Sequence, residues 1–297
     1  MNFEKTILIY DSIEYFRSSM ESRKIKSYPS FKKVNYWERV LRKFSLKLKI
    51  FTNIWYGEWK NYLSTVETVI IFATNRFDYI QFIADKYPNL RIIVWYWNPV
   101  FRCFEPDCVR GKNIEFWSFD KEDCKNYKLH FNSTFYFNDL PIKQKDKKWD
   151  LIFLGADKGR ADSILIFESK INKHQINTHF IIVPDKGSAN PKNIQPLNYR
   201  DYINLIGQSK GIFDFIQEGQ AGLTLRPMES IFFKKKLITN DRKIVEEPFY
   251  NPSNILVLND DNYSRIPDFI NSPYCELSKE IIEYYEFSNW LKRFDEI

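Results

Sequence analysis

The chain has 297 residues, of which 44% are hydrophobic, and carries 44 basic and 38 acidic side chains. This length favours two domains of about 150 residues each, and the hydrophobic content excludes an intrinsically disordered chain. The longest apolar runs are much shorter than the roughly 20 residues that a membrane-spanning helix needs. Because no long apolar stretch follows the first residues, we expect no signal peptide and a cytoplasmic protein.

Histidine and cysteine are scarce, with three and four residues respectively. The spacing of the cysteines matches no zinc-binding pattern, and a cytoplasmic chain keeps its thiols reduced. We therefore expect neither a metal site nor a cofactor.

Short apolar runs alternate with helical patterns along the first half of the chain. The predicted strands are Thr6–Tyr10, Thr68–Ala73, Arg91–Trp97, Ile114–Ser118 and Thr134–Phe137. The predicted helices are Asn35–Lys47, Phe77–Lys86 and Glu122–Tyr127. This alternation is typical of βαβ units and predicts a parallel sheet.

The lysine-rich stretch Pro141–Trp149 predicts a solvated linker, after which the alternation resumes. The predicted strands are Asp150–Gly155, Thr178–Val183, Gly211–Phe215, Lys236–Thr239 and Ile255–Leu258. The predicted helices are Arg160–Asn172, Tyr199–Gly207, Leu223–Phe233 and Ser278–Phe294. We predict two Rossmann-like parallel-sheet domains, residues 1–145 and 146–274, that face a central cleft, with residues 275–297 packing back on the first domain.

The basic charge is concentrated between Ser22 and Phe51, where ten basic residues accompany one acidic residue. Apolar residues recur there at helical spacing: Val34, Trp37, Val40, Leu41 and Phe44. This pattern predicts an amphipathic helix that either packs in the core, with its basic face solvated, or lies on an anionic membrane. Nucleic acid is a third polyanionic partner, but no nucleic-acid-binding motif accompanies the segment.

The segment Phe153–Arg160 combines a strand end, a loop with two glycines and a helix start. Gly155 allows a close backbone approach to a ligand, and a helix N-terminus carries about half a positive charge. Lys158 and Arg160 add cationic donors, so the segment suits a diphosphate. It matches neither the P-loop nor the dinucleotide-binding pattern, and an ordinary strand–helix turn is the alternative.

A second polar turn, with Gly219 and Gly222, precedes the predicted helix Leu223–Phe233. Arg226 and Glu229 lie three residues apart and hence on one side of this helix. Arg226 suits a phosphate or a sugar, and Glu229 suits a ribose diol. The alternative is an ordinary surface ion pair.

The stretch from Gly222 to Thr239 reads Gly-Leu-Thr-Leu-Arg-Pro-Met-Glu-Ser-Ile-Phe-Phe-Lys-Lys-Lys-Leu-Ile-Thr. It resembles the donor-binding signature of GT-B glycosyltransferases, which have two Rossmann-like domains. Phe116–Cys124 and Asp150–Arg160 also resemble segments of bacterial enzymes of capsule, exopolysaccharide and O-antigen biosynthesis, the "lipopolysaccharide biosynthesis protein" group. Many GT-B enzymes have Gly-x-Pro after the glutamate helix, where this chain has Lys234–Lys236.

This resemblance implies that two loops of the second domain bind a nucleotide sugar. Glu229 would bind the ribose, and Thr224 and Arg226 would contact the diphosphate or the sugar. The other donor-binding residues implied are Gly222 on the same loop and Gly155, Lys158 and Arg160 on the other.

Glycosyl transfer needs a stabilised leaving group and a base for the acceptor hydroxyl. No Asp-x-Asp motif occurs in the sequence, so we expect cationic side chains to stabilise the diphosphate in place of a metal. Asp11, directly after the first predicted strand, is the candidate base, and Glu58 is the second candidate. A helix cap or a solvated acid is the alternative for either residue.

The resemblance therefore implies a metal-independent glycosyltransferase of surface polysaccharide synthesis. Its donor would be a nucleotide sugar, most simply a UDP-hexose, with UDP-galactofuranose as one candidate. Its acceptor would be a lipid-linked glycan, which gives the basic segment a role at the anionic inner face of the membrane. The alternatives are a non-catalytic nucleotide-sugar-binding protein and a nucleic-acid-binding protein that uses the basic segment; we expect no nucleic acid as partner.

Overall fold

A computed structural model describes residues 1–11, 15–143, 145–185, 187–188, 194–216, 222–259 and 261–296. The chain divides into two compact units. The first consists of Met1–Thr134 and Trp290–Ile297, and the second of Phe135–Asn289.

The first unit is built on a sheet of six parallel strands. They are β1 (Thr6–Ile9), β2 (Lys26–Tyr28), β3 (Thr68–Phe72), β4 (Arg91–Tyr96), β5 (Ile114–Ser118) and β6 (His130–Phe131). Their order in the sheet is β2-β1-β3-β4-β5-β6. Every residue of β1 and β3 is buried, as expected of central strands in a parallel sheet that is covered on both faces. The segments that follow β1 and β3 therefore lie side by side at one edge of the sheet.

Four helices connect these strands: α1 (Phe16–Ser22), α2 (Tyr36–Leu48), α3 (Asp78–Lys86) and α4 (Lys121–Tyr127). Asn35 and Glu38 form a reciprocal capping box at the start of α2. The helix ends after Leu48 because Lys49 takes a left-handed conformation, with φ of 55°. Among the described residues, no helix is long and apolar enough to cross a membrane.

The second unit has a sheet of five parallel strands. They are β7 (Trp149–Ala156), β8 (Thr178–Val183), β9 (Ser209–Asp214), β10 (Lys236–Thr239) and β11 (Ile255–Val257). The strand order is β11-β10-β9-β7-β8. The helices are α5 (Ala161–Asn172), α6 (Tyr199–Gly207), α7 (Leu225–Phe233), α8 (Ile266–Asn271), α9 (Lys279–Tyr285) and α10 (Phe287–Lys292). The predicted donor-binding residues lie in two places. Gly155, Lys158 and Arg160 lie at the end of β7 and in the turn that leads to α5, and Gly222, Thr224, Arg226 and Glu229 lie directly before α7 or within it.

The last residues of the chain pack within the first unit. The Trp290 indole is fully buried, with its ring centroid 5.3 Å from that of Trp95. Phe294 packs edge-on against Trp117 at 4.9 Å. These aromatic contacts attach the C-terminal turn to the sheet of the first unit.

Most predicted elements are present, and the differences arise at short or aromatic segments. The predicted strand Thr134–Phe137 is wrong, since only a single parallel bridge between Tyr136 and Glu286 forms there. The predicted helix Ser278–Phe294 is broken, because the extended backbone of Glu286 separates α9 from α10. The strands β2 and β6 were not predicted, because three and two residues are too few to show a periodicity.

The lysine-rich stretch before β7 is exposed and contains no helix or strand among its described residues. It is nevertheless hydrogen-bonded to the end of α6. Lys145 and Lys148 donate their backbone N–H groups to the carbonyls of Gly207 and Gln208. Residues 141–143 and 145–148 therefore lie along the second unit.

Candidate functional site

An ion pair between partly buried Arg226 and buried Asp214 lies at the start of α7 in the second unit. Arg226 Nη1 lies 3.1 Å from Oδ1 of Asp214, the last residue of β9. Arg226 Nη2 donates to the carbonyl of Leu154 at 2.6 Å. Burial opposes the charge of Arg226, but the Asp214 carboxylate and its neighbours outweigh burial and raise the pKa of Arg226. Arg226 therefore connects α7 to both β7 and β9.

Two guanidinium groups approach Gly155 closely. A Cβ atom at this position would lie 2.8 Å from Arg226 Nη2 and 2.9 Å from Arg160 Nη2. Both guanidinium groups also lie over the Phe153 ring, at 4.8 Å for Arg226 and 5.3 Å for Arg160. In this structure the glycine makes room for protein cations.

Arg160 is also bound within the protein. Its side chain is buried and donates to the carbonyls of Ala156 and Phe215. Asp157 caps the start of α5, since its carboxylate accepts from the N–H groups of Arg160 and Ala161 at 3.0 and 2.8 Å. The Ala161 amide, the first of α5, is therefore occupied, and the positive end of this helix already faces a carboxylate.

Lys158 and Gly159 form the exposed part of the same turn. Both have left-handed backbone conformations, with φ of 50° and 77°. Gly159 has no atom within 4 Å of where a Cβ would lie, so its conformation, and not crowding, favours glycine. Lys158 is the one predicted diphosphate ligand of this loop with an exposed side chain.

Glu229 lies in a hydrogen-bonded cluster of tyrosines. The hydroxyls of Tyr199 and Tyr202, both on α6, donate to Glu229 Oε1 and Oε2 at 2.8 and 2.9 Å. The Tyr136 and Tyr199 hydroxyls are 2.6 Å apart, which extends the cluster. Glu229 is 1% exposed. Burial raises the pKa of Glu229 to about 7, although the tyrosines and Arg226 oppose this shift.

Thr224 begins α7 and links its first turn to the same ion pair. Its hydroxyl donates to Asp214 Oδ1 at 3.0 Å and accepts from the N–H of Arg226 at 3.3 Å. Gly222, two residues earlier, has φ of 94°, a conformation that favours glycine. Gly219 lies outside the described residues.

The lysines after α7 stabilise the second unit. Lys234 pairs with Glu276 at 2.9 Å, and buried Lys235 donates to the carbonyl of Ser209 at 2.8 Å. Lys236, also buried, donates to Ser272 Oγ at 2.9 Å. The basic turn that replaces Gly-x-Pro therefore has structural partners.

Asp11 lies two residues after the end of β1, at the carboxyl-terminal edge of the sheet of the first unit. Its Oδ1 accepts from the Ser30 N–H at 2.7 Å, and its Oδ2 accepts from the Ser30 hydroxyl. The Ser30 hydroxyl also lies 3.2 Å from the hydroxyl of buried Tyr79. A hydroxyl carries one proton, so with Ser30 donating to Asp11, Tyr79 supplies the proton of the second bond. This arrangement orients an exposed carboxylate.

Glu58 has no comparable network. It starts the short 3-10 turn Glu58–Asn61 and is exposed. No side-chain hydrogen bond to Glu58 is found in the described part of the chain. Asp11 is therefore the better oriented of the two candidate bases.

Helix α2 presents large apolar side chains to solvent. Trp37 is 75% exposed and Phe44 is 60% exposed, whereas Leu46 on another face is buried. The exposed apolar residues of this region are Tyr36, Trp37, Leu41, Phe44, Leu48, Ile50, Phe51 and Ile54. Lys43 and Lys47 are exposed beside the stripe of Trp37, Leu41, Phe44 and Leu48. The packed-core alternative for this apolar face is therefore wrong.

Sequence reasoning missed the partners that fix these side chains. Asp214 follows a short apolar run at a strand end, as Asp11 does, and the same argument applied to β9 would have found it. Tyr199 and Tyr202 are three residues apart on α6, a spacing that does not distinguish them from core aromatics.

Comparisons with known proteins show the fold. No family model and no curated protein matches the sequence. The structure is similar to the DNA-modifying enzyme beta-glucosyltransferase, solved with and without its substrate uridine diphosphoglucose, with a TM-score of 0.54, 14% identity and 98% coverage of both chains. It is also similar to TarM, with a TM-score of 0.51 and 12% identity over 77% of this chain and 54% of TarM, so it spans about half of TarM.

At these identities the likeness establishes architecture alone. Two parallel-sheet α/β domains are present, and they match GT-B glycosyltransferase structures. The predicted fold class is therefore confirmed.

The buried carboxyl of Glu229 predicts a pH-dependent contribution to stability. Between pH 4.5 and about 7 the folded chain keeps a proton that the unfolded chain releases, so the unfolding free energy should fall as pH rises. This loss should amount to on the order of 3 kcal/mol. Glu229→Gln removes this titratable group. In urea denaturation, the unfolding free energy of the variant should therefore rise relative to that of the wild type between pH 5 and pH 8.

Glu246→Gln, at an exposed position of the same unit, serves as the matched control. Its unfolding free energy should depend on pH as that of the wild type does. A constant difference between wild type and Glu229→Gln at both pH values contradicts a buried Glu229 with a raised pKa.

Proposed function

We propose that the protein is a glycosyltransferase that moves a sugar from a uridine diphosphate donor to a lipid-linked glycan acceptor. One observation carries the proposal: a GT-B architecture in which the second unit holds Asp214, Arg226 and Glu229 in one buried cluster at the start of α7. Likeness to a glucosyltransferase solved with uridine diphosphoglucose favours a UDP donor. Surface polysaccharide synthesis is the proposed pathway, and UDP-galactofuranose is one candidate donor.

In this proposal the donor binds to the second unit. Lys158 contacts the diphosphate, and the ion pair of Arg226 and Asp214 positions the first turn of α7, with Gly222 and Thr224, against it. Arg160 and Arg226 do not contact the donor in this proposal. Their guanidinium groups donate to main-chain carbonyls and so hold the backbone around the site in place. Glu229 accepts a hydrogen bond from a ribose hydroxyl, using carboxylate lone pairs that do not bind Tyr199 or Tyr202. Since Glu229 is 1% exposed, neighbouring side chains must move for this contact to form.

In the proposed transfer, a bond forms between the anomeric carbon of the sugar and an acceptor oxygen. The bond between the same anomeric carbon and the β-phosphate oxygen of the donor breaks. The acceptor hydroxyl gives its proton to Asp11, whose orientation is set by Ser30. The electron pair of the broken bond leaves with the uridine diphosphate, and the charge of Lys158 stabilises this leaving group.

A lipid-linked acceptor accounts for the exposed surface of α2. Trp37 and Phe44 would enter the interfacial layer of the bilayer, and Lys43 and Lys47 would face anionic headgroups. We therefore propose peripheral binding to the inner face of the membrane. A non-catalytic nucleotide-sugar-binding protein is the alternative, and it predicts binding of the donor without turnover.

The roles of Lys158 and Glu229 are distinguished by comparing the binding of UDP with the binding of uridine. By calorimetry, Lys158→Ala should weaken UDP binding about tenfold and leave uridine binding unchanged, because only the diphosphate is affected. Glu229→Gln should weaken both ligands, because both contain the ribose. Lys173→Ala, at an exposed position beyond α5, is the control. Wild-type affinity for UDP in both site variants contradicts the donor-site assignment.

The base assignment predicts a loss of transfer without a loss of donor binding. Asp11→Asn keeps the hydrogen-bonding shape but takes up no proton, so the transfer rate should fall at least a hundredfold. Glu58→Gln should retain most activity. The rates are measured with radiolabelled donor and membrane-extracted acceptors, and full activity of Asp11→Asn removes this residue as the base.

Membrane binding is tested by vesicle sedimentation. Replacing both Lys43 and Lys47 by Gln should weaken binding to phosphatidylglycerol vesicles about tenfold or more, since each charge near the surface contributes about 1 kcal/mol. The exposed pair Lys112 and Lys125, changed in the same way, should have little effect. Absence of vesicle binding in the wild type overturns the membrane proposal.

A further inference from the structure

Two arginines of the first unit share one aromatic ring. The guanidinium carbon of Arg42, on α2, lies 5.2 Å from the centroid of the Phe31 ring, and that of Arg76 lies 5.6 Å from it. The ring is held in place by Tyr56 and Tyr79, at centroid distances of 6.0 and 5.9 Å. Both arginines are therefore placed by a fixed platform and not by flexible surface contacts.

Neither guanidinium forms an ion pair with another described residue. In the part of the chain that the structure describes, no carboxylate lies within ion-pair distance of Arg42 or Arg76. Arg42 Nη1 donates to the carbonyl of Lys32 at 3.1 Å. Burial, followed by the charges of Arg76 and Arg39, lowers the pKa of Arg42. Like charges are thus gathered at a half-buried position, where a bound anion would relieve their repulsion.

The position of the pair is close to Asp11. Arg76 follows β3 and Asp11 follows β1, and these strands are neighbours whose carboxyl ends share one edge of the sheet. The charge of Asp11 also acts on Arg42. An anion on the two arginines would therefore lie beside the carboxylate that we assign as the base.

We propose that Arg42 and Arg76 bind the phosphate of the acceptor, and that this phosphate belongs to a lipid-linked diphosphate. The planar guanidinium suits bidentate phosphate contacts, and two such groups match the two negative charges of a diphosphate that links a lipid to a glycan. The lipid source is favoured because Arg42 is on α2, the helix that presents Trp37 and Phe44 to solvent. The acceptor role rests on the proposed transfer reaction, whereas the anion site itself does not.

The first experiment uses inorganic pyrophosphate, titrated by calorimetry into protein that contains saturating UDP. The wild type should bind pyrophosphate, and Arg42→Gln and Arg76→Gln should each weaken binding about tenfold or more. Arg110→Gln, at an exposed position of the same unit, should bind as the wild type does. Equal pyrophosphate affinity in the wild type and both site variants overturns the anion site.

The second experiment identifies the source of the phosphate. Phosphatidylcholine vesicles that contain a polyprenyl diphosphate should bind wild type more tightly than phosphatidylglycerol vesicles of equal surface charge. In Arg42→Gln this preference should disappear, while binding to phosphatidylglycerol vesicles, which depends on the apolar stripe and on Lys43 and Lys47, remains. Absence of a wild-type preference overturns the lipid source. A double-stranded oligonucleotide that binds wild type but not Arg42→Gln overturns it as well, in favour of a nucleic acid.

Measurement of UDP binding in the arginine variants distinguishes a failure of this proposal from a failure of the proposed function. Arg42→Gln and Arg76→Gln should bind UDP as the wild type does, because neither residue belongs to the second unit. Loss of UDP binding in these variants contradicts an acceptor-side role. If the wild type binds no UDP, the proposed function fails, and the pyrophosphate comparison still decides the anion site.

Discussion

The second unit is organised around one ion pair, between the guanidinium of Arg226 and the buried carboxylate of Asp214. The guanidinium pairs with Asp214 at the end of β9 and donates to the carbonyl of Leu154 in β7, so it fixes the first turn of α7 against two strands. The desolvation of such a charge is costly, and removing one partner of a buried pair destabilises a protein strongly. Gly155 and Thr224 belong to the same arrangement. Gly155 leaves space for the guanidinium, and the Thr224 hydroxyl donates to the carboxylate of Asp214.

This constraint divides the cations of the site by function. Arg160, Arg226, Lys235 and Lys236 bind protein oxygens and hold the strand ends and turns in place. Lys158 lies on an exposed left-handed turn and contacts a ligand phosphate in our proposal. The tyrosines that bind Glu229 connect α6 to α7, so the carboxyl group that we assign to the ribose is also part of the packing. In the first unit, by contrast, Asp11 is exposed and is oriented by one serine.

The sequence predicts the two parallel sheets well, because short apolar runs define strands and amphipathic periodicity defines helices. Predicted strands such as Thr178–Val183 and Lys236–Thr239 have the bounds found in the structure. The directions of the arginine side chains were not predictable, since their acceptors are carbonyls of strands distant in sequence, such as that of Leu154. The periodicity of α2 was also correctly read as a helix, but a pattern alone does not say whether its apolar face is packed or exposed.

In our proposal the second unit binds a nucleotide sugar at the turns before α5 and α7. A crystal structure of the protein soaked with UDP is the decisive experiment. We expect electron density for the diphosphate beside Lys158 and the first turn of α7, with the ribose at Glu229. A nucleotide bound elsewhere, or none at a saturating concentration, would contradict the proposal.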